Sequence, residues 1–237
     1  HIPGAVFFDI NEICDKTSEL PHMLPAPHIF SSAMRKLGIG DGQTIVVYDD
    51  FGFYSAPRVW WTFRTMGVES VYVLDGGMPK WQAEDRPVDD HDVRRPERHF
   101  TARLDNSAVA NLSAVKKLSE SAAGQILDAR SAARFAGEAP EPRASLRGGH
   151  MPNSLNLPFV DLINDNGTFK SREELLPAFQ KSGVDLSKPI TTTCGSGVTA
   201  AILTLGLTAL GARDLSLYDG SWSEWGGRDD TEVVTGT

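Results

Sequence analysis

Apolar residues along this chain fall in short runs, and polar or glycine-bearing turns separate them. Ile126-Leu127-Asp128-Ala129 is a run suited to a buried strand, and Pro189 and Ile190 lead into a further strand that ends at Thr193. Leu215 to Tyr218 has the same character. Val198 to Leu210 is long enough and apolar enough for a buried helix, with Gly211 as its stop. Ser171-Arg172-Glu173-Glu174 spells a capping box, and the helix it opens should end near Gly183. In the first half, Ile45–Tyr48 and Val71–Leu74 read as strands and Ser55–Met66 as a helix. Strands that alternate with helices through short loops predict an α/β fold, with a mainly parallel sheet and helices on both faces.

The pattern occurs twice. His1-Ile2-Pro3-Gly4-Ala5 matches His150-Met151-Pro152-Asn153-Ser154. Leu74-Asp75-Gly76-Gly77-Met78-Pro79-Lys80-Trp81 matches Tyr218-Asp219-Gly220-Ser221-Trp222-Ser223-Glu224-Trp225. Between these marks Ile45–Asp49 aligns with Ile190–Cys194, which sets Asp49 opposite Cys194. A period this long means a duplicated domain and not a solenoid, whose repeats run roughly 20–50 residues. The expected organisation is a first domain over 1–84, a linker over 85–111 that is rich in proline and charge, and a second domain over 112–237. The second copy has a strand and an arginine-bearing loop ahead of its His-Met-Pro, whereas nothing precedes His1. The expectation is therefore that the first copy lacks its opening strand or two.

Composition narrows the classes. The chain has 237 residues, 41% hydrophobic and 23% charged, as globular proteins do. Its net charge of -8 argues against binding nucleic acid, which relies on Lys and Arg to neutralise phosphates. The same charge argues against an anionic membrane surface, and no apolar run approaches the ~20 residues of a membrane helix. Cys14 and Cys194 are the two cysteines. They are too few for a disulfide framework or a four-ligand zinc site, so no metal and no cofactor is expected. They fit a reducing compartment, hence the cytoplasm.

Cys194 stands out by its context, at the end of a buried strand and before Gly195-Ser196-Gly197-Val198-Thr199 and an apolar helix. Crevices in parallel sheets form at the carboxyl ends of strands. Glycines at 195 and 197 let the loop curl so that backbone N–H groups face the sulfur, and the helix adds the positive end of its dipole. Both favour a thiolate nucleophile, and the same cradle suits the terminal sulfur of a persulfide. The bland alternative is a small buried hydrophobe, the commonest role of an unpaired cysteine. Cys14 lacks any such context and reads as an incidental thiol.

Cys194-Gly195-Ser196-Gly197-Val198-Thr199-Ala200 resembles the active-site loop of the two-domain rhodanese superfamily. It is the uncharged form of that loop, found in the branch whose sulfur donor is 3-mercaptopyruvate. The resemblance covers nearly the whole chain and includes the His1 and Tyr218 signatures. It implies two tandem rhodanese-like domains, of which the first is non-catalytic. It also implies that Arg134 and Arg143 bind the donor carboxylate, for which planar guanidinium groups offer paired N–H donors. The alternative for these two is a pair of surface arginines matched with Glu138 and Glu141. By the resemblance, Cys194 takes the sulfur, Ser196 or a relay through His1 protonates the pyruvate enolate, and a thiol such as that of thioredoxin removes the sulfur. Gly195, Gly197, Val198 and Thr199 would cradle the donor and the persulfide. Arg130 reads as structural, paired near Asp128, and His150 also as structural. Trp60 and Trp61 read as core aromatics before cleft residues.

Three rivals remain to be weighed. A thiosulfate sulfurtransferase would want cations near the sulfur for its dianionic donor. A phosphatase of the Cys-x5-Arg kind needs an arginine where this chain has Ala200. A silent binding or sulfur-relay module would not need the cysteine loop and both arginines.

Overall fold

The computed structural model describes residues 1–121 and 123–236. The chain divides into two units, His1–Asn106 with Asn164–Phe169, and Ser107–Ile163 with Lys170–Thr237.

In the first unit the elements are α1 (Pro27–Lys36), β1 (Ile45–Val47), α2 (Ala56–Thr65), β2 (Val71–Val73) and α3 (Gly77–Ala83). β1 and β2 pair in parallel, Ile45 opposite Val71. α2 packs on both strands. It buries Trp60 and Trp61, and the Arg58 guanidinium lies 4.4 Å from the Trp61 ring. These two tryptophans are core residues of this unit. A second cluster joins Phe30 edge-on to Phe63 and Phe100, at 5.3 and 5.6 Å between ring centres. Val46 and Tyr72 are register partners and both are exposed, so one face of this two-stranded sheet is open within the unit. The segment Asn164–Phe169 belongs here as well. Phe169 stacks on Phe53 at 4.9 Å, and its N–H donates to Asp75 Oδ1 at 2.7 Å.

The second unit holds β3 (Val109–Ala110), α4 (Leu112–Ser121), β4 (Gln125–Asp128), α5 (Ala132–Phe135), β5 (Ser154–Asn156), α6 (Arg172–Lys181), β6 (Ile190–Thr193), α7 (Ala200–Leu210), β7 (Leu215–Tyr218) and α8 (Ser221–Trp225). Its five strands run in the order β3-β7-β6-β4-β5, all parallel. β3 lies inside the stretch read from sequence as linker; two residues are too few to show a period, and pairing with β7 makes them a strand. All four residues of β6 are buried. Because strand side chains alternate between faces, this means that both faces of the sheet are covered there. α7 supplies part of that cover, with eight of its residues buried, as an all-round apolar helix requires.

The local signals have physical counterparts. The capping box at Ser171 is present with both bonds, and Gly183 closes that helix at φ +86°. Gly211 ends α7 in the left-handed conformation. α7 starts at Ala200 and not at Val198, because Gly197 at φ +76° turns the chain and residues 198–199 complete that turn. The two His-x-Pro motifs fold alike. Ala5 N–H donates to Ile2 O at 2.9 Å and Ser154 N–H to Met151 O at 3.2 Å, with Gly4 and Asn153 both at positive φ.

Candidate active site

β4 and β6 are neighbours, yet the chain leaves β4 outward to β5 and leaves β6 the other way to β7. Where connections diverge in this manner, a crevice opens between the carboxyl ends of the two strands. The loop after β4 carries Arg130, Arg134 and Glu141, and the loop after β6 carries Cys194. The fold therefore brings these loops together within one unit.

β6 is polar for a buried strand, and its hydroxyls are satisfied. Thr191 Oγ1 bonds Ser216 Oγ at 2.9 Å, Thr192 Oγ1 bonds Thr204 Oγ1 at 2.8 Å, and Thr193 Oγ1 donates to Ser221 Oγ at 3.4 Å. Cys194, buried like the strand, follows at once. Its N–H donates to Ser221 Oγ at 3.3 Å, and its carbonyl accepts from Trp222 N–H at 2.9 Å. The Gly195 carbonyl accepts from the N–H and the hydroxyl of Ser223, at 2.9 and 2.7 Å. The start of α8 thus fixes the backbone at 194 and 195. Ser221 makes these bonds at φ +50°, a conformation costly for a side chain with a Cβ, while fully buried. Ser196 and Thr199 are partly exposed at the loop surface, and Gly197 and Val198 are buried.

Arg134, on α5, reaches the loop directly: a Cβ placed on Gly195 would lie 3.1 Å from Arg134 Nη2. Its guanidinium is held by Glu141, with Nη2 donating to Oε2 at 2.5 Å and Nε to Oε1 at 3.3 Å. Glu141 was read from sequence only as a surface partner. Its carboxylate is in fact 1% exposed, so this is no loose surface pair. Arg130 shares Glu141 (Nη1 to Oε1, 2.7 Å), pairs with Asp128 (Nη2 to Oδ2, 2.7 Å) and lies 4.1 Å from the Trp222 ring centre. Burial works against the Arg130 charge, but the Asp128 and Glu141 carboxylates outweigh it and hold the pKa above the ordinary arginine value. Arg143 is exposed and its Nη1 donates to Ser223 Oγ at 3.3 Å. Both arginines therefore adjoin Gly195, one in contact and one through a serine hydroxyl.

His1 belongs to the first unit, exposed, with Nδ1 and Nε2 each 3.0 Å from a backbone carbonyl, those of Ile2 and His91. His150 is buried against Phe135, its Nδ1 2.8 Å from the Phe135 carbonyl, which fits a structural role. Cys14 also lies in the first unit, its thiol donating to Asn11 O at 3.0 Å. Burial pushes that thiol up, Lys16 opposes, and Glu12, Asp15 and Asp9 add to the rise, so Cys14 is a poor thiolate. Among the described residues, the trio that brings three possible metal-ligand atoms within 4.8 Å is Asp89, Asp90 and His91, mostly exposed and in the first unit. No helix of the described residues is long and apolar enough to cross a membrane. Ser221, Ser223 and Glu141 were not singled out in the sequence as site residues. The one signal for Glu141 was an acid lying between two arginines in the same loop.

Known proteins resemble this chain along most of its length. The rhodanese-like domain family model matches residues 1–84 and 111–228. A curated relative, the 3-mercaptopyruvate sulfurtransferase of Escherichia coli K12, is 48% identical over 233 residues, which cover 98% of this chain and 83% of that protein. The human 3-mercaptopyruvate sulfurtransferase is 44% identical over 227 residues, covering 95% and 76%. Among solved structures, the 3-mercaptopyruvate sulfotransferase SseA of Escherichia coli superposes with a TM-score of 0.86 at 46% identity, covering 94% of this chain and 83% of that one. With two matched segments and a parallel sheet carrying the cysteine loop at its carboxyl edge, the chain belongs to the rhodanese family.

Proposed function

We infer that this chain is a 3-mercaptopyruvate sulfurtransferase that carries sulfur as a persulfide on Cys194. The supporting observation is the uncharged Gly195–Thr199 loop after a buried cysteine, with Arg134 against Gly195. Relatives at 48% and 44% identity bear that enzyme's name.

The reaction proceeds in two halves. The Cys194 thiolate attacks the sulfur of the donor, and the S–S bond forms as the carbon–sulfur bond of mercaptopyruvate breaks. The electron pair of that bond leaves with the organic fragment as pyruvate enolate, which takes up a proton at carbon. Arg134 and Arg143 hold the donor carboxylate beside the loop. Ser196, at the loop surface, delivers the proton, and His1 is the second candidate, with its two contacts to backbone carbonyls as the competing role. The backbone of Gly195, Gly197, Val198 and Thr199 cradles the persulfide. An acceptor thiolate then attacks the outer sulfur and frees Cys194. With a dithiol acceptor such as thioredoxin, the second thiol closes a disulfide and expels sulfide. This is covalent catalysis with alternating half-reactions.

The first domain, 1–84, is read as a non-catalytic copy with Asp49 where the second, 112–237, has Cys194, and 85–111 joins them. Two unpaired cysteines and a thiol acceptor suit the cytoplasm.

The test is pyruvate and sulfide release from 3-mercaptopyruvate with a dithiol, run beside thiosulfate with cyanide, for the wild type and Cys194→Ser. Turnover that favours mercaptopyruvate and vanishes in the variant is the expected result. A preference for thiosulfate would reassign the donor, and turnover retained by Cys194→Ser would reject the persulfide site.

A further inference from the structure

The Gly195 carbonyl is held twice by one residue, through the N–H and the hydroxyl of Ser223 at 2.9 and 2.7 Å. Ser223 is buried, and its Oγ also accepts from Arg143 Nη1 at 3.3 Å, so the single hydroxyl proton is committed to Gly195. The Gly195–Ser196 peptide is trans, and a planar trans peptide carries its N–H on the side opposite its carbonyl. Anchoring the Gly195 oxygen on α8 therefore turns the Ser196 N–H away from α8. Among the described residues that N–H has no hydrogen-bond partner. Its aligned counterpart is Phe51 N–H, which donates to Asp49 Oδ1 at 2.9 Å. The Ser196 N–H is thus a free donor placed for an anion at Cys194 Sγ.

The first copy makes only half of this support. Met78 N–H holds Asp49 O at 3.0 Å, as Trp222 N–H holds Cys194 O at 2.9 Å. The next residue is Pro79 in the first copy and Ser223 in the second, and proline has neither an N–H nor a hydroxyl to give. The first loop can do without that anchor, because four backbone N–H groups are tied to the Asp49 carboxylate. A sulfur that gains and loses charge in each cycle provides no such permanent tie.

We propose that Ser223 is a positioning residue for sulfur transfer: through the Gly195 carbonyl it aims the Ser196 N–H at Cys194 Sγ. This rests on the reading of Cys194 as the sulfur carrier. A donor fixed from behind stabilises charge on the sulfur without having to reorganise as that charge appears. Arg143 bonds the same hydroxyl, so a second role for Ser223, support of the donor carboxylate site, has to be separated by experiment.

The experiment compares the wild type, Ser223→Ala and Ser223→Thr, with thermal unfolding followed in each. Alkylation of Cys194 by iodoacetamide at neutral pH is read on the Cys194 peptide; this neutral reagent does not depend on carboxylate binding. Sulfur loading is read as the single-turnover pyruvate burst across a range of 3-mercaptopyruvate concentrations. Ser223→Ala keeps the N–H bond and loses the hydroxyl bond. Its alkylation rate and its burst rate at saturating donor should each fall about fivefold, the rate equivalent of one hydrogen bond, with half-saturation within about twofold of wild type. Ser223→Thr retains a hydroxyl and should restore both rates. A folded Ser223→Ala with both rates unchanged, or with only half-saturation raised, overturns the proposal and leaves the functional reading intact. A folded Ser223→Thr as slow as Ser223→Ala also overturns it; if the threonine variant does not fold, Ser223→Ala decides alone. A wild type that takes up no sulfur from mercaptopyruvate overturns the functional reading and the proposal together.

Discussion

Two loops hold aligned places in the repeat, after β1 and after β6, and each has an acidic or potentially acidic group at its first residue. In the first loop that residue is Asp49. Its Oδ1 accepts from Phe51 N–H at 2.9 Å, and its Oδ2 accepts from the N–H groups of Tyr54, Ser55 and Ala56 at 2.8, 2.7 and 2.8 Å. The turn and the helix start thus form an anion cradle, and the chain fills it with its own carboxylate. In the second loop the residue is Cys194, and the aligned donors are the N–H groups of Ser196, Thr199, Ala200 and Ala201, the last already bonded to Val198 O at 3.3 Å. In the proposed mechanism the anion here is one that the reaction supplies, a thiolate or a persulfide. On the proposed mechanism, one backbone design serves as an internal brace in one copy and as a reaction site in the other, and the two differ in the first side chain.

The support beneath the two loops differs in a parallel way. Met78 N–H donates to Asp49 O at 3.0 Å, as Trp222 N–H does to Cys194 O at 2.9 Å. The residue before each donor has φ +50°, and it is Gly77 in the first copy and Ser221 in the second. A Cβ on Gly77 would sit 2.6 Å from Asp49 O, so glycine is required there. The second copy keeps a serine in the same left-handed conformation, and the serine hydroxyl bonds Cys194 N–H. The left-handed conformation carries a side-chain cost beneath the proposed reactive residue and none in the first copy.

The comparison can be broken most severely at its centre. Cys194→Ser should drop sulfur transfer to background, measured as pyruvate release, because a serine hydroxyl does not carry sulfane sulfur. Next, Arg143→Ala should raise the mercaptopyruvate KM about 10- to 100-fold, in line with ~1.5–3 kcal/mol for a hydrogen bond to a charged group, with a smaller change in kcat. An unaltered KM would remove Arg143 from the donor site. Asp49→Ala should lower stability by about 2 kcal/mol, seen as an earlier urea midpoint, since four N–H donors lose their carboxylate. Turnover per folded molecule should hold, which separates the brace from the reaction site. The smallest effect is expected for Ser221→Gly, where relief of about 1 kcal/mol of backbone strain offsets the lost hydroxyl bonds. Its melting temperature should stay near wild type while turnover falls; unchanged turnover would mean that Ser221 does not position Cys194.

Much of this was readable in the sequence because the signals were local. Strands β1, β2, β4 and β7 showed as short apolar runs, β6 as a strand led into by Pro189 and Ile190, the capping box at Ser171 as a four-residue pattern, and Cys194 as a cysteine between a buried strand and glycines. α1 and α4 were not read, being amphipathic stretches without such marked ends, and β3 and β5 are too short to show a period. The Glu141–Arg130–Asp128 network was half legible. Arg130 with Asp128 lies within three residues, but the burial that turns Glu141 from a surface acid into the partner of Arg134 is a tertiary property. Ser221 could not be singled out, since only φ +50° and a bond across 27 positions give it meaning. The assignment of Asn164–Phe169 to the first unit is likewise a matter of long-range packing, through Asp75 and Phe53.

The most direct test of the central claim is intact-protein and peptide mass spectrometry after one equivalent of 3-mercaptopyruvate is added without acceptor. The expected result is a gain of one sulfur atom on the peptide containing Cys194, matched by one pyruvate released and reversed by a dithiol. No added sulfur on that peptide, or sulfur found on Cys14 instead, would contradict it.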